Sequence, residues 1–158
     1  MQNKIRPYVI SVVAALAVGG LSALLTAGNM DLYSTITPPP LAPPSILFPI
    51  VWTILYTLMG ISSAMIYLQK DEKPKETSSA LFVYAFSLFL NFFWSIIFFN
   101  MQAFLFSFIW LVILWITVLI TIIKYFRIKP VAAFLQIPYL IWITFAGYLN
   151  FAIYILNR

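Results

Sequence analysis

Three tryptophans and two asparagines stand at spacings that could build a ligand site. Phe48, Trp52, Leu55, Tyr56 and Met59 recur at i, i+4, i+7, i+8 and i+11, one face of a helix. Asn91, Trp94, Ser95 and Phe98 recur at i, i+3, i+4 and i+7. Pro138, Trp142, Phe145, Ala146, Leu149 and Asn150 share a third face. Aromatic faces beside a few amides suit a large, flat, mostly apolar ligand, held by stacking and oriented by hydrogen bonds. The alternative uses are packing or interface anchoring for each tryptophan and interhelical hydrogen bonding for Asn91. Other chemistry has little to run on. The chain has no His and no Cys, which removes disulfides, thiol chemistry, zinc sites and histidine-ligated haem. No Asp, Glu, Lys or Arg lies in the interior of an apolar segment, so a general acid–base pair and a charged relay for ion coupling are both lacking. The residues therefore point to no catalytic group, no metal and no bound cofactor.

The elements that must position these faces are long and apolar. Of 158 residues, 63% are hydrophobic and 8% charged, with a mean hydropathy of +1.00. A soluble domain would carry about 25% charged residues, so this surface belongs in a bilayer. The expected fold is an all-α membrane protein, one five-helix transmembrane domain over residues 1–158, with spans near 7–27, 45–69, 78–99, 103–126 and 131–155. The runs lack the alternation of barrel strands. Asn100, Met101 and Gln102 supply the break between the third and fourth spans. Lys4 and Arg6 before an apolar run resemble a signal peptide, but the run is as long as a full span, so a retained first helix is expected. Ala15, Gly19, Ala23 and Ala27 form a small-residue stripe on it, suited to packing within the bundle and, as the alternative, to a homodimer seam. Pro138 interrupts the last span and is expected to kink it.

Five of the ten prolines crowd into residues 38–44, just before Trp52. Proline fixes φ and removes a backbone donor, so this stretch reads as a stiff, extended lid within a loop spanning 28–44. The basic residues Lys4, Arg6, Lys70, Lys73, Lys75, Lys124, Arg127 and Lys129 fall on one side of a five-span chain, and Arg158 alone on the other. The positive-inside rule puts the N-terminus in the cytoplasm and the lid loop and C-terminus outside. The net charge of +5 is thus scattered over short loops, which argues against nucleic acid as a partner.

Nearly the whole chain resembles the translocator protein, or tryptophan-rich sensory protein, family. Three motifs carry the likeness: Pro43-Pro44 with Phe48 and Val51-Trp52-x-x-Leu55-Tyr56-x-x-Met59-Gly60; Leu90-Asn91-x-x-Trp94-Ser95-x-x-Phe98-Phe99; and Pro138-Tyr139-Leu140-x-Trp142-x-x-Phe145-Ala146-x-x-Leu149-Asn150. The resemblance implies a membrane-embedded pocket under the first loop that binds porphyrins such as protoporphyrin IX and other flat lipophilic ligands. Its contacts would be Tyr33, Trp52, Asn91, Trp142 and Ala146, with Phe48, Tyr56, Trp94 and Phe145 around them. The family's sterol-recognition stretch would map to Leu149, Tyr154 and Arg158. A bacterial cell membrane is the expected location. Two departures stand out. Leu32 and Leu41 occupy positions where relatives carry tryptophan, and Phe82 and Phe86 replace the glycines of a proposed dimer motif. The missing rings favour binding over the light-driven porphyrin degradation ascribed to some relatives. Passive transport of lipophilic ligands is a further alternative. The lack of histidine leans the expected ligand toward metal-free porphyrin.

Overall fold

In lipid a backbone can satisfy its own polar groups only as helix or closed barrel, and this chain takes the first route. The computed structural model describes residues 4–29 and 32–158, the side chains of 33 and 34 excepted. The long helices are α1 (Ile5–Thr26), α3 (Leu47–Tyr67), α4 (Pro74–Ser95), α5 (Phe104–Ile128) and α6 (Pro130–Leu156), with a one-turn helix α2 (Leu32–Thr35) in the first loop. Short extensions carry α1 on to Asn29 and α4 on to Asn100, the latter as a π-turn. Five helices are long and apolar enough to cross a membrane.

Proline sets two of the starts. Pro74 and Pro130 each open a helix, where a missing N–H costs nothing and the fixed φ already suits the helix. The expected third span therefore begins four residues earlier than 78, and Lys75 and Glu76 belong to its first turn rather than to a loop. The proline stretch 38–44 contains no helix, only a turn at 40–41, and α2 lies in the loop ahead of it. The helix α6 runs unbroken through Pro138, which lies on its exposed face.

The helices form a ring in the order α1, α3, α6, α5, α4, closing lightly from α4 back to α1. Polarity is inverted relative to a soluble bundle. Ser62, Ser63, Ser87, Asn91, Thr121, Gln136 and Asn150 are buried, while Ile, Leu and Phe side chains such as Leu24, Ile54, Phe82 and Ile141 face outward. Glycine permits the closest crossing. A Cβ on Gly60 would sit 2.5 Å from the Val12 Cα, so α1 and α3 approach backbone to backbone. A Cβ on Gly19 would run into the Tyr56 ring, so that glycine makes room for an inward tyrosine. Ala15 is fully buried. The upper half of the small-residue stripe thus packs inside the bundle, whereas Ala23 and Ala27 are exposed.

Candidate functional site

The inward faces of α3 and α6 meet in a continuous cluster of rings near the lid end. Trp52 lies 6.5 Å from Trp142 between ring centroids, with the planes perpendicular. It also contacts Tyr56 at 5.5 Å and Tyr139 at 6.1 Å. Phe48 meets Trp142 edge-on at 5.9 Å, and Trp142 continues to Phe145 at 5.6 Å and Phe145 to Tyr148 at 6.1 Å. Edge-to-face packing of this kind sets positive ring edges on negative faces. Trp52, Trp142, Phe48 and Phe145 are half-buried, while Tyr56 and Tyr139 are buried beneath them.

A polar floor lies below the rings. Asn91 on α4 is 2% exposed, and its amide donates to the Tyr139 hydroxyl at 2.9 Å. The Tyr56 hydroxyl lies beside the same amide. This is a ring cage with a hydrogen-bonding base, contributed by α3, α4 and α6. Ala146 is buried on α6, one turn beyond Trp142, and its small side chain adds no bulk there. The floor contains no charged group.

Trp94 sits apart from that cage. Its indole donates to the Asn150 side-chain oxygen at 3.1 Å, and its ring stacks on Phe98 at 5.2 Å. Ser107 also donates to that oxygen at 3.1 Å, and the Asn150 amide donates to the Phe104 carbonyl at 2.8 Å. One asparagine therefore ties α4, α5 and α6 together. Leu149 is buried in the core, whereas Tyr154 and Arg158 line a cavity of about 460 Å³ with Gln102 and Phe104 at the lid end. The three sterol-stretch residues do not share a face. The Tyr33 side chain lies outside the described residues.

The lid loop is stitched to the bundle at its start and near its middle. Asn29 donates to the Asn100 side-chain oxygen at 2.7 Å, and Asn100 in turn donates to the Leu25 carbonyl at 3.0 Å. Asn157 clasps the backbone of Thr37, accepting from its N–H at 2.8 Å and donating to its carbonyl at 3.1 Å. The Tyr148 hydroxyl donates to the Pro40 carbonyl at 2.6 Å. Leu32 is buried in the core, and Leu41 is 81% exposed at φ 69°, a left-handed conformation that leucine adopts at a steric cost. Of the two positions where the family resemblance implied a ring, one is packed inward and one is exposed.

Tyr139, Tyr148 and Asn157 are the site residues that spacing arguments passed over. Tyr139 could have been found: it shares the buried register of Ile143, Ala146 and Asn150. The two lid contacts carry no local signal, since each lies more than one hundred residues from its partner.

Comparison with known proteins places this geometry in context. Residues 11–156 match the TspO/MBR family. The chain is 37% identical over 158 residues to Tryptophan-rich protein TspO of Chlorobaculum tepidum, covering 99% of each. It is 38% identical over 150 residues to the protein of the same name from Archaeoglobus fulgidus, covering 94% of this chain and 95% of that one. It is 33% identical over 134 residues to Translocator protein of Bos taurus, covering 84% of this chain and 79% of the other.

Proposed function

The chain belongs to the TspO/MBR family of membrane proteins, and from that premise we propose that it is a receptor or carrier for porphyrins of the protoporphyrin IX type and other flat lipophilic ligands. One observation carries the reading: the Trp52, Trp142, Phe48 and Phe145 rings converge from two helices above the Asn91–Tyr139 hydrogen bond. A macrocycle would take the place of the Trp52–Trp142 contact, so the two rings part on binding and restack on its faces. Asn91 and the tyrosine hydroxyls then orient any neutral hydrogen-bonding edge.

The charge distribution sets the ligand's direction. No cation lies in the floor, and burying an unpaired carboxylate is costly. Acidic substituents therefore stay at the lid end and the apolar edge goes in first. With the N-terminus in the cytoplasm, as the basic loops indicate, the pocket opens on the outer side of a bacterial cell membrane. The lid, held by Asn157 and Tyr148, closes over it.

The test is quenching of intrinsic tryptophan fluorescence by protoporphyrin IX in detergent. Trp52→Phe and Asn91→Ala are each expected to bind more weakly than the parent. Parent-like titrations for both variants would overturn the pocket assignment.

A further inference from the structure

A helix buried in a bilayer has no solvent to satisfy its inward polar side chains, so each must find a partner within the protein. The inner face of α4 carries such a row, with Thr77, Tyr84, Ser87 and Asn91 at i, i+7, i+10 and i+14. Two members are satisfied. Ser87 donates to the Tyr84 carbonyl at 2.6 Å, and Asn91 donates to Tyr139 at 2.9 Å. The other two are not. Among the described residues, the buried side-chain atoms without a protein partner are Thr77 Oγ1 and Tyr84 Oη. Both residues are more than nine-tenths buried, at 2% and 8% exposed. That both unpaired hydroxyls fall on one face of one helix, two turns apart, is the informative point.

The surroundings of Tyr84 supply the rest of a site. The Ser63 and Tyr125 hydroxyls are bonded to each other at 2.7 Å. That pair holds two hydroxyl hydrogens, and one bond uses one of them, leaving a donor to spare. The Tyr84 and Tyr125 rings lie 6.4 Å apart, and the Tyr84 hydroxyl lies next to that of Ser63 but beyond hydrogen-bond length. A single small group able both to donate and to accept would satisfy Tyr84 and the spare hydrogen together. It must be neutral, because the described residues offer no cluster of acidic or histidine ligands to offset an ion. Water meets each requirement, and buried waters characteristically make two to four such bonds.

We propose that α4 carries two internal hydration sites on its inner face, one water bridging Tyr84 to the Ser63–Tyr125 pair and one on Thr77 near the basic end of the bundle. They extend the polar floor from Asn91 about 20 Å along α4, at 1.5 Å per residue. The core beneath the ring cage is therefore wet where composition alone would make it dry.

The test needs no ligand, so it stands or falls separately from the porphyrin reading. A high-resolution crystal structure of the full chain grown from a lipid phase is expected to show ordered water at about 3 Å from Tyr84 Oη and from Thr77 Oγ1. The near-isosteric variants Tyr84→Phe and Thr77→Val are expected each to lose their own water and to melt at a lower temperature than the parent. A dry core predicts the reverse, because removing an unpaired buried hydroxyl relieves its desolvation cost. Absence of density at either hydroxyl, or a variant at least as heat-stable as the parent, overturns the corresponding site.

Discussion

Asn150 shows how much one side chain can hold together in a bilayer. Its oxygen takes two donors and its amide serves a carbonyl on α5. Interhelical hydrogen bonds in membranes average about 0.6 kcal/mol and reach about 1.7. Asn150→Ala removes three and leaves the buried Trp94 indole without an acceptor, so a loss of about 2 kcal/mol is expected. Reversible unfolding in mixed detergent would measure it. Thr144→Val serves as the contrast, since the Trp115–Thr144 bond is exposed and its loss should cost far less. The same residues explain what could be read in advance. Helical period and residue type put Trp52, Asn91 and Trp142 on inward faces, and the structure brings those faces together. Trp94 meets those criteria equally well, yet its indole is committed to Asn150 rather than to the cage. Period says which face a residue occupies; it does not say which neighbour that face meets.

Helix starts, crossings and anchors belong to the scale of elements. The five spans were legible because a bilayer imposes length and apolarity on each, and both are bulk properties of a segment. The helix α4 starts ahead of its apolar run, because its charged first turn follows Pro74, which is itself the start signal. The α1–α3 crossing depends on a glycine whose need only the packed pair reveals. Gly60→Ala would drive a Cβ into the Val12 backbone, for an expected loss of about 1–3 kcal/mol. Gly147→Ala meets only Leu111 at 3.8 Å and should be neutral or stabilising, by up to about 1 kcal/mol from helix propensity. Thermal melts of the two variants side by side should show a clear loss for the first and none for the second. The lid anchors make a kinetic prediction. Asn157→Ala deletes both bonds to Thr37, each contributing about 1 kcal/mol at most to lid closure. Porphyrin release, followed by recovery of tryptophan fluorescence in stopped flow, should then quicken by up to about thirtyfold, with little change in melting temperature. Unchanged release would show that ligand does not leave beneath this segment.

At the scale of the molecule, the distribution of charge predicts how the bundle sits in its membrane. Eight of the nine Lys and Arg residues lie at one end, and the structure cross-links that end. Lys73 donates to the Arg127 carbonyl at 3.2 Å, and Lys124 donates to Ser79 at 2.9 Å, so the α3–α4 and α5–α6 turns form one basic rim. The opposite end carries the proline-rich lid and Arg158. Cytoplasmic loops collect Lys and Arg because moving them across the membrane is disfavoured, and short turns such as these are where the bias acts. The positive-inside rule therefore predicts that the lid end, and the ring cluster beneath it, faces outward. The chain is suited to a direct test, since it contains no cysteine. Ser45→Cys places a lone thiol at an exposed position just after the lid, and Asp71→Cys places one in the exposed basic turn. A membrane-impermeant maleimide added to intact cells should label the first and reach the second only after permeabilisation. The reverse pattern would turn the molecule over and open its pocket to the cytoplasm. Labelling of both in intact cells would mean that a mixture of orientations is inserted, and that a charge asymmetry of eight to one is too weak to decide.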